Sequence, residues 1–107
     1  MEELEKSMRV NRLIDFYGEL LTDHQKEILS LYYYMDLSLG EISEQLNISR
    51  NGVYDALKKG VKLLEKYEEK LHLVNKNEEL EDFFEEIKTN KTQEELDLIN
   101  LIEGKVM

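Results

Sequence analysis

The sequence has no cysteine and no proline. The first absence excludes a disulfide framework, a thiolate zinc site and a cysteine nucleophile. The second leaves helix ends to be set by capping side chains and glycines. No apolar run approaches the roughly 18 residues a membrane span requires, and no signal-peptide-like apolar stretch opens the chain. A cytoplasmic protein without membrane insertion is expected. Basic charge is scarce: Lys+Arg 14 against Asp+Glu 24 leaves a formal net charge of −10. A protein coated all round with positive charge for nucleic acid is thereby excluded.

Catalytic signals are equally thin. His24 and His72 stand far apart, and no paired His or Cys motif accompanies them, so no metal site is expected. Glu78-Glu79, Glu81-Asp82 and Glu85-Glu86 read as the solvated face of an amphipathic helix. A catalytic carboxylate pair would need one member in an apolar pocket, and no feature picks one out. There is no P-loop, dinucleotide fingerprint or nucleophile elbow. The expectation is a protein that is not an enzyme and carries no cofactor.

What remains is helix. With 107 residues, 41% hydrophobic and 36% charged, the chain has the composition of one amphipathic all-α domain with an appendage. Val10, Leu13, Ile14, Tyr17 and Leu21 mark the buried stripe of a first helix, which Gly18 either ends or weakens. Thr22 with Gln25 is a capping box opening a second helix, with Ile28, Leu31, Tyr32 and Met35 on its apolar face. Ser38 with Glu41 opens a short third helix carrying Leu39, Ile42 and Leu46 inward.

Asn47 suits a left-handed turn, and Ser49 can cap a fourth helix. Val53, Leu57, Val61 and Leu64 continue through Tyr67, Leu71 and Val74, predicting a helix of about 25 residues. A break is expected over Asn75 to Asn77. Leu80, Phe83, Phe84 and Ile87 then suggest a fifth helix. After a turn at 88–91, Thr92 with Glu95 caps a sixth, with Leu96, Ile99 and Ile102 inward and Leu98 and Leu101 widening the stripe. Residues 1–75 are read as a helical domain and 76–107 as an acidic helical extension.

Charge is unevenly distributed. Residues 1–37 balance at −4 and residues 67–107 at −7, whereas residues 38–66 balance at +1. The one segment that is not acidic is the short helix, turn and long helix.

That segment reads Leu39-Gly-Glu-Ile-Ser-Glu-Gln-Leu-Asn-Ile-Ser-Arg-Asn-Gly-Val-Tyr-Asp-Ala-Leu57. A helix-turn-helix needs an apolar first-helix face, a sharp turn and a capped second helix that enters the major groove by its N-terminal residues. Ile42, Leu46, Ile48, Val53 and Leu57 supply the core; Asn47 and Ser49 supply the turn and cap. Arg50, Asn51 and Tyr54 fall on the outward side of the first turns. Arginine can pair with guanine and asparagine with adenine, and both can hold phosphates. Lys58, Lys59 and Lys62 follow where phosphate contact is the usual role. Gly52 and Gly60 are weak points, each costing about 1 kcal/mol against alanine in a helix. Asp55 would repel phosphate unless it pairs with Lys58 or Lys59.

Joined to Leu21-Thr-Asp-His-Gln-Lys-Glu-Ile-Leu, this motif resembles region 4 of sigma factors. More closely, Asp15-Phe-Tyr, Leu20-Leu-Thr-Asp-His-Gln, Ile48-Ser-Arg, Val53-Tyr-Asp and Tyr67-Glu-Glu-Lys-Leu-His-Leu resemble the YlxM family of small bacterial proteins, over roughly residues 8–75. The resemblance implies a sigma-region-4-like helix-turn-helix bundle. It also implies a regulatory role linked to the signal recognition particle pathway, beside whose genes the family is found.

Two readings stand. In the first, the chain is a nucleic-acid-binding regulator, with DNA ahead of RNA, acting through Ser49, Arg50, Asn51, Tyr54, Lys58, Lys59 and Lys62. In the second, it is a protein–protein adaptor of the targeting machinery and the helix-turn-helix is scaffold. Tyr32-Tyr33-Tyr34 offers either rings for base stacking or one core ring with surface neighbours. The excess length of the fourth helix and the apolar tail helices predict a homodimer.

Overall fold

A computed structural model describes residues 2–107, and its elements are all helical among these residues. Four helices and one 3-10 turn form a first compact unit reaching to Leu71, and two helices form a second from His72 onward. The first unit holds α1 (Glu2–Tyr17), the turn Gly18–Leu20, α2 (Asp23–Tyr33), α3 (Leu39–Leu46) and α4 (Arg50–Leu71). The second holds α5 (Leu73–Ile87) and α6 (Gln93–Val106). No helix among the described residues is long and apolar enough to cross a membrane.

The predicted stripe of α1 is the core of the first unit: Val10, Leu13, Ile14 and Tyr17 are buried, and Leu21 follows just beyond the 3-10 turn. Gly18 ends the helix. The three capping boxes at Thr22–Gln25, Ser38–Glu41 and Thr92–Glu95 are all formed in both directions. Each satisfies two backbone donors that would otherwise be orphaned at a helix start. With proline absent, left-handed residues do the stopping. Asn47, at φ 56°, ends α3, and His72, at φ 55°, ends α4.

Three predicted faces are corrected. In α2 the buried residues are Ile28, Leu29 and Tyr33, while Leu31 and Tyr32 are half-buried and Met35 is exposed past the helix end. The face is rotated because α4 lies directly over Leu29 at Gly60, which has no side chain to hold it off. In α3 only Ile42 is fully buried; Leu39 and Leu46 are half-covered. In α4, Leu57 and Leu64 lead to Glu68 rather than to Tyr67 and Leu71. Glu68 is 6% exposed, and the Tyr17 hydroxyl donates to its Oε1 at 2.5 Å. A buried carboxylate with a hydrogen-bond donor is tolerable where a bare one is not.

α4 is 22 residues long, and the turn at His72 arrives before the break expected at 75–77, which falls inside α5. In the second unit Val74 and Phe84 are buried, and Phe83 stacks edge-on against Phe84. Lys88 Nζ lies 2.7 Å from Glu103 Oε1, tying the end of α5 to α6. The inward stripe expected for α6 is incomplete: Leu96 and Ile99 are half-buried, whereas Leu98, Leu101 and Ile102 are 63%, 58% and 55% exposed.

Tyr34, just past α2, donates its hydroxyl to Asp15 on α1. Partial burial, and then the Asp15 carboxylate, push its pKa from 10.0 up to about 12. The neutral phenol is thus favoured by folding. Its contribution is complete below the unfolded value of 10.0 and is lost as pH rises through about 12. An ultraviolet titration is expected to show a phenol ionising near pH 12, and Tyr34→Phe should remove that step. A titration unchanged by the substitution would refute the assignment.

Candidate nucleic-acid interface

The turn between α3 and α4 is closed from both sides. The Asn47 backbone N–H donates to the Ser43 carbonyl, and Ile48 N–H donates to the same carbonyl at 3.1 Å. The Ser43 hydroxyl donates to the Ile48 carbonyl at 2.5 Å. Ser49 Oγ then accepts the Gly52 N–H at 2.9 Å, capping α4. Gly52 belongs there for a local reason, since a Cβ at that position would sit 3.1 Å from the same hydroxyl. At the other end of α3, the Ser38 backbone and hydroxyl hold the Glu41 carboxyl below its usual range. Glu41 is therefore a fixed anion at the start of α3, where the helix dipole favours one.

α4 buries Val53, Leu57, Gly60 and Leu64. At about 100° per residue, the predicted site residues fall on the other side, and Arg50, Asn51, Tyr54, Lys58, Lys59 and Lys62 are all exposed. They differ in what holds them. The Arg50 guanidinium lies across α3: a Cβ on Gly40 would meet its Nη2 at 2.8 Å. Asn51 is exposed one residue further on. Lys58 Nζ sits 5.8 Å from the centre of the Tyr54 ring, a cation over an aromatic face. Lys59 Nζ is 3.0 Å from Asp55 Oδ2, so the acid that threatened to repel phosphate is paired and Lys59 is partly neutralised.

Lys59 and Lys62 share a shallow depression of about 310 Å³ with Gln25, Leu63 and Lys66. Lys66 was not picked out from the sequence, although its i+4 spacing from Lys62 was there to be read. Arg9 is engaged elsewhere, its guanidinium donating to both carboxylate oxygens of Glu65 at 3.2 and 3.1 Å. Arg12 lies over the Phe16 ring. Arg9 thus reaches α4 as the partner of Glu65, and Arg12 packs on a ring of α1.

The sequence profile of the helix-turn-helix family described as YlxM / p13 like matches residues 4–103. The chain belongs to that family. The match runs past the motif-bearing residues through α5 and most of α6, so both units are family features. The UPF0122 protein YlxM of Bacillus subtilis is 47% identical over 103 residues, 94% of each chain. The UPF0122 protein of Pediococcus pentosaceus is 50% identical over 86 residues, 80% of this chain and 76% of that one. A UPF0122 protein of Caldanaerobacter subterraneus reaches 62% over 76 residues, 71% of this chain and 65% of its own. The all-α helix-turn-helix fold expected from the sequence is the fold of this family.

Proposed function

We propose that this protein is a DNA-binding regulator that reads duplex DNA with the N-terminal half of α4. One observation carries the reading: a Ser49-capped helix presents Arg50, Asn51, Tyr54 and Lys58 to solvent, on the only part of the chain without an acidic excess. Laid in the major groove, Asn51 would pair with adenine, and Arg50 with guanine or a flanking phosphate. Lys58 and Lys62 would neutralise phosphates further along the groove. Ser49 sets the helix start and can give its own proton to a phosphate, since its oxygen lone pair is what the cap uses. Lys59 contributes less while Asp55 holds it. Such a protein is a cytoplasmic regulator and performs no catalysis.

The test is fluorescence anisotropy of a labelled mixed-sequence duplex and a structured RNA at about 50 and 150 mM salt. If four phosphates are neutralised, log affinity falls against log salt with a slope of about −3.6. Duplex binding with that salt dependence supports the reading. Absence of binding to both probes refutes it.

Half-sites read by helix-turn-helix proteins are commonly paired, and the reading includes a homodimer. α6 supplies the argument. Its exposed Leu98, Leu101 and Ile102 form one stripe, with Glu94 and Glu95 in the first turn and Lys105 in the last. Antiparallel pairing of two α6 helices buries both stripes and sets each Lys105 beside the partner's acidic end. Sedimentation should find a dimer, and Leu101→Glu should give a folded monomer by placing a carboxylate in the seam. A wild-type monomer at micromolar concentration would reject the dimer.

The same helix favours the second reading, an adaptor within the protein-targeting machinery. An apolar stripe on a strongly acidic helix also suits a basic protein surface. The reading predicts that Lys58→Glu leaves partner binding intact and Leu101→Glu abolishes it.

A further inference from the structure

Two cavities open on the first unit and share Lys6, Tyr32 and Tyr33, and the charge of the remaining lining separates them. The larger, of about 510 Å³, sets Glu3, Asp36 and Glu41 against Lys6, an acidic excess hostile to phosphate. The smaller, of about 320 Å³, lies against α4 and has Lys6 and Lys58 as its only charged lining among the described residues. Its walls are Tyr32, Tyr54, Leu39 and Leu57. This volume is at the low end of small-ligand sites, which are mostly apolar with a few placed polar groups.

From this juxtaposition we infer that the cavity takes a single unpaired nucleotide, its base against the Tyr32 and Tyr54 rings and its phosphate between Lys6 and Lys58. A flat ring with an attached anion matches the lining on both counts. Stacking on aromatic rings with a basic flank is how proteins hold unstacked bases. Tyr32 is braced for the task, because Tyr33, 9% exposed, meets it edge-on at 4.9 Å and 81°. Tyr54 and Lys58 also belong to the duplex-reading face, so the cavity sits where a nucleotide displaced beside a bound duplex would arrive. The inference rests on the proposed nucleic-acid reading and narrows its target to a duplex carrying an unpaired residue.

The experiment compares a perfect duplex with the same duplex bearing one bulged 2-aminopurine, in DNA and in RNA. The bulged probe is expected to bind about tenfold more tightly, with quenching of 2-aminopurine as it stacks. Tyr32→Leu keeps bulk and removes the ring; it should abolish the preference and the quenching while leaving perfect-duplex binding unchanged. Tyr32→Phe should retain both, and Lys6→Gln, on an exposed residue, should reduce the preference without touching the fold. Whichever of the DNA and RNA pairs shows the larger preference identifies the natural source. Equal affinity for bulged and perfect probes, or a preference that survives Tyr32→Leu, overturns the cavity while leaving duplex reading in place. Failure to bind either probe overturns both.

Discussion

Arg50→Ala is expected to weaken duplex DNA binding roughly tenfold, and Lys58→Glu by more. Arg50 stands at the first position of α4, exposed, with its guanidinium laid against Gly40. A bidentate contact from such a side chain is worth about 1–3 kcal/mol, or roughly five- to 150-fold in affinity. The salt dependence tells its role. Loss of a base contact lowers affinity and relaxes sequence preference with the salt slope unchanged. Loss of a phosphate contact flattens the slope by about 0.9. Lys58→Glu replaces an attraction by a repulsion and should flatten the slope in the same way.

Lys59→Ala provides the internal comparison. Asp55 already holds Lys59 at 3.0 Å, and an exposed i,i+4 pair is worth only about 0.3–0.5 kcal/mol. Removing the lysine also frees a carboxylate on the binding face, so a small loss is expected, well below that at Lys58. Wild-type affinity in both Arg50→Ala and Lys58→Glu would sink the duplex-reading proposal and leave the adaptor reading in its place.

The parts legible in the sequence were those set by neighbours in the chain. The boxes at Thr22, Ser38 and Thr92 each need only a residue three positions away, and the left-handed turn at Asn47 needs only asparagine's tolerance for it. The helix-turn-helix was legible for the same reason, since its core and cap lie within 19 consecutive residues. The buried face of α2 was not, because the apolar pattern there is broad and the choice of Leu29 over Met35 is made by Gly60 on another helix. Glu68 was illegible as a buried residue because its donor, Tyr17, lies 51 positions away. The exposed stripe of α6 was read as inward because periodicity reports an apolar face without reporting what covers it. Among the candidate site residues, positions on α4 followed from helical spacing. Tyr32 was legible only as one ring of the Tyr32-Tyr33-Tyr34 run, and Lys6 not at all, since α2 and α1 bring them to α4 only in the folded chain.

The approach of α4 to α2 gives the second large effect. Leu29 is fully buried, and an alanine there should cost about 2–5 kcal/mol through lost transfer and residual cavity. Gly60→Ala is the more telling substitution, because two terms of opposite sign meet. Helix propensity favours alanine by about 1 kcal/mol. Against it, the new Cβ would stand 2.9 Å from Leu29 Cδ1 and 3.2 Å from its Cγ. A buried leucine cannot swing clear, and such overpacking costs about 1–3 kcal/mol. The net expectation is destabilisation by about 1 kcal/mol. With Leu29 cut to alanine the obstacle is gone, so in that background Gly60→Ala should become stabilising, leaving a coupling of about 2 kcal/mol in a double-mutant cycle. Chemical denaturation of the four proteins measures it. Additive losses would mean that α4 shifts away from α2 when crowded, and that Gly60 is not what fixes how closely the recognition helix is held.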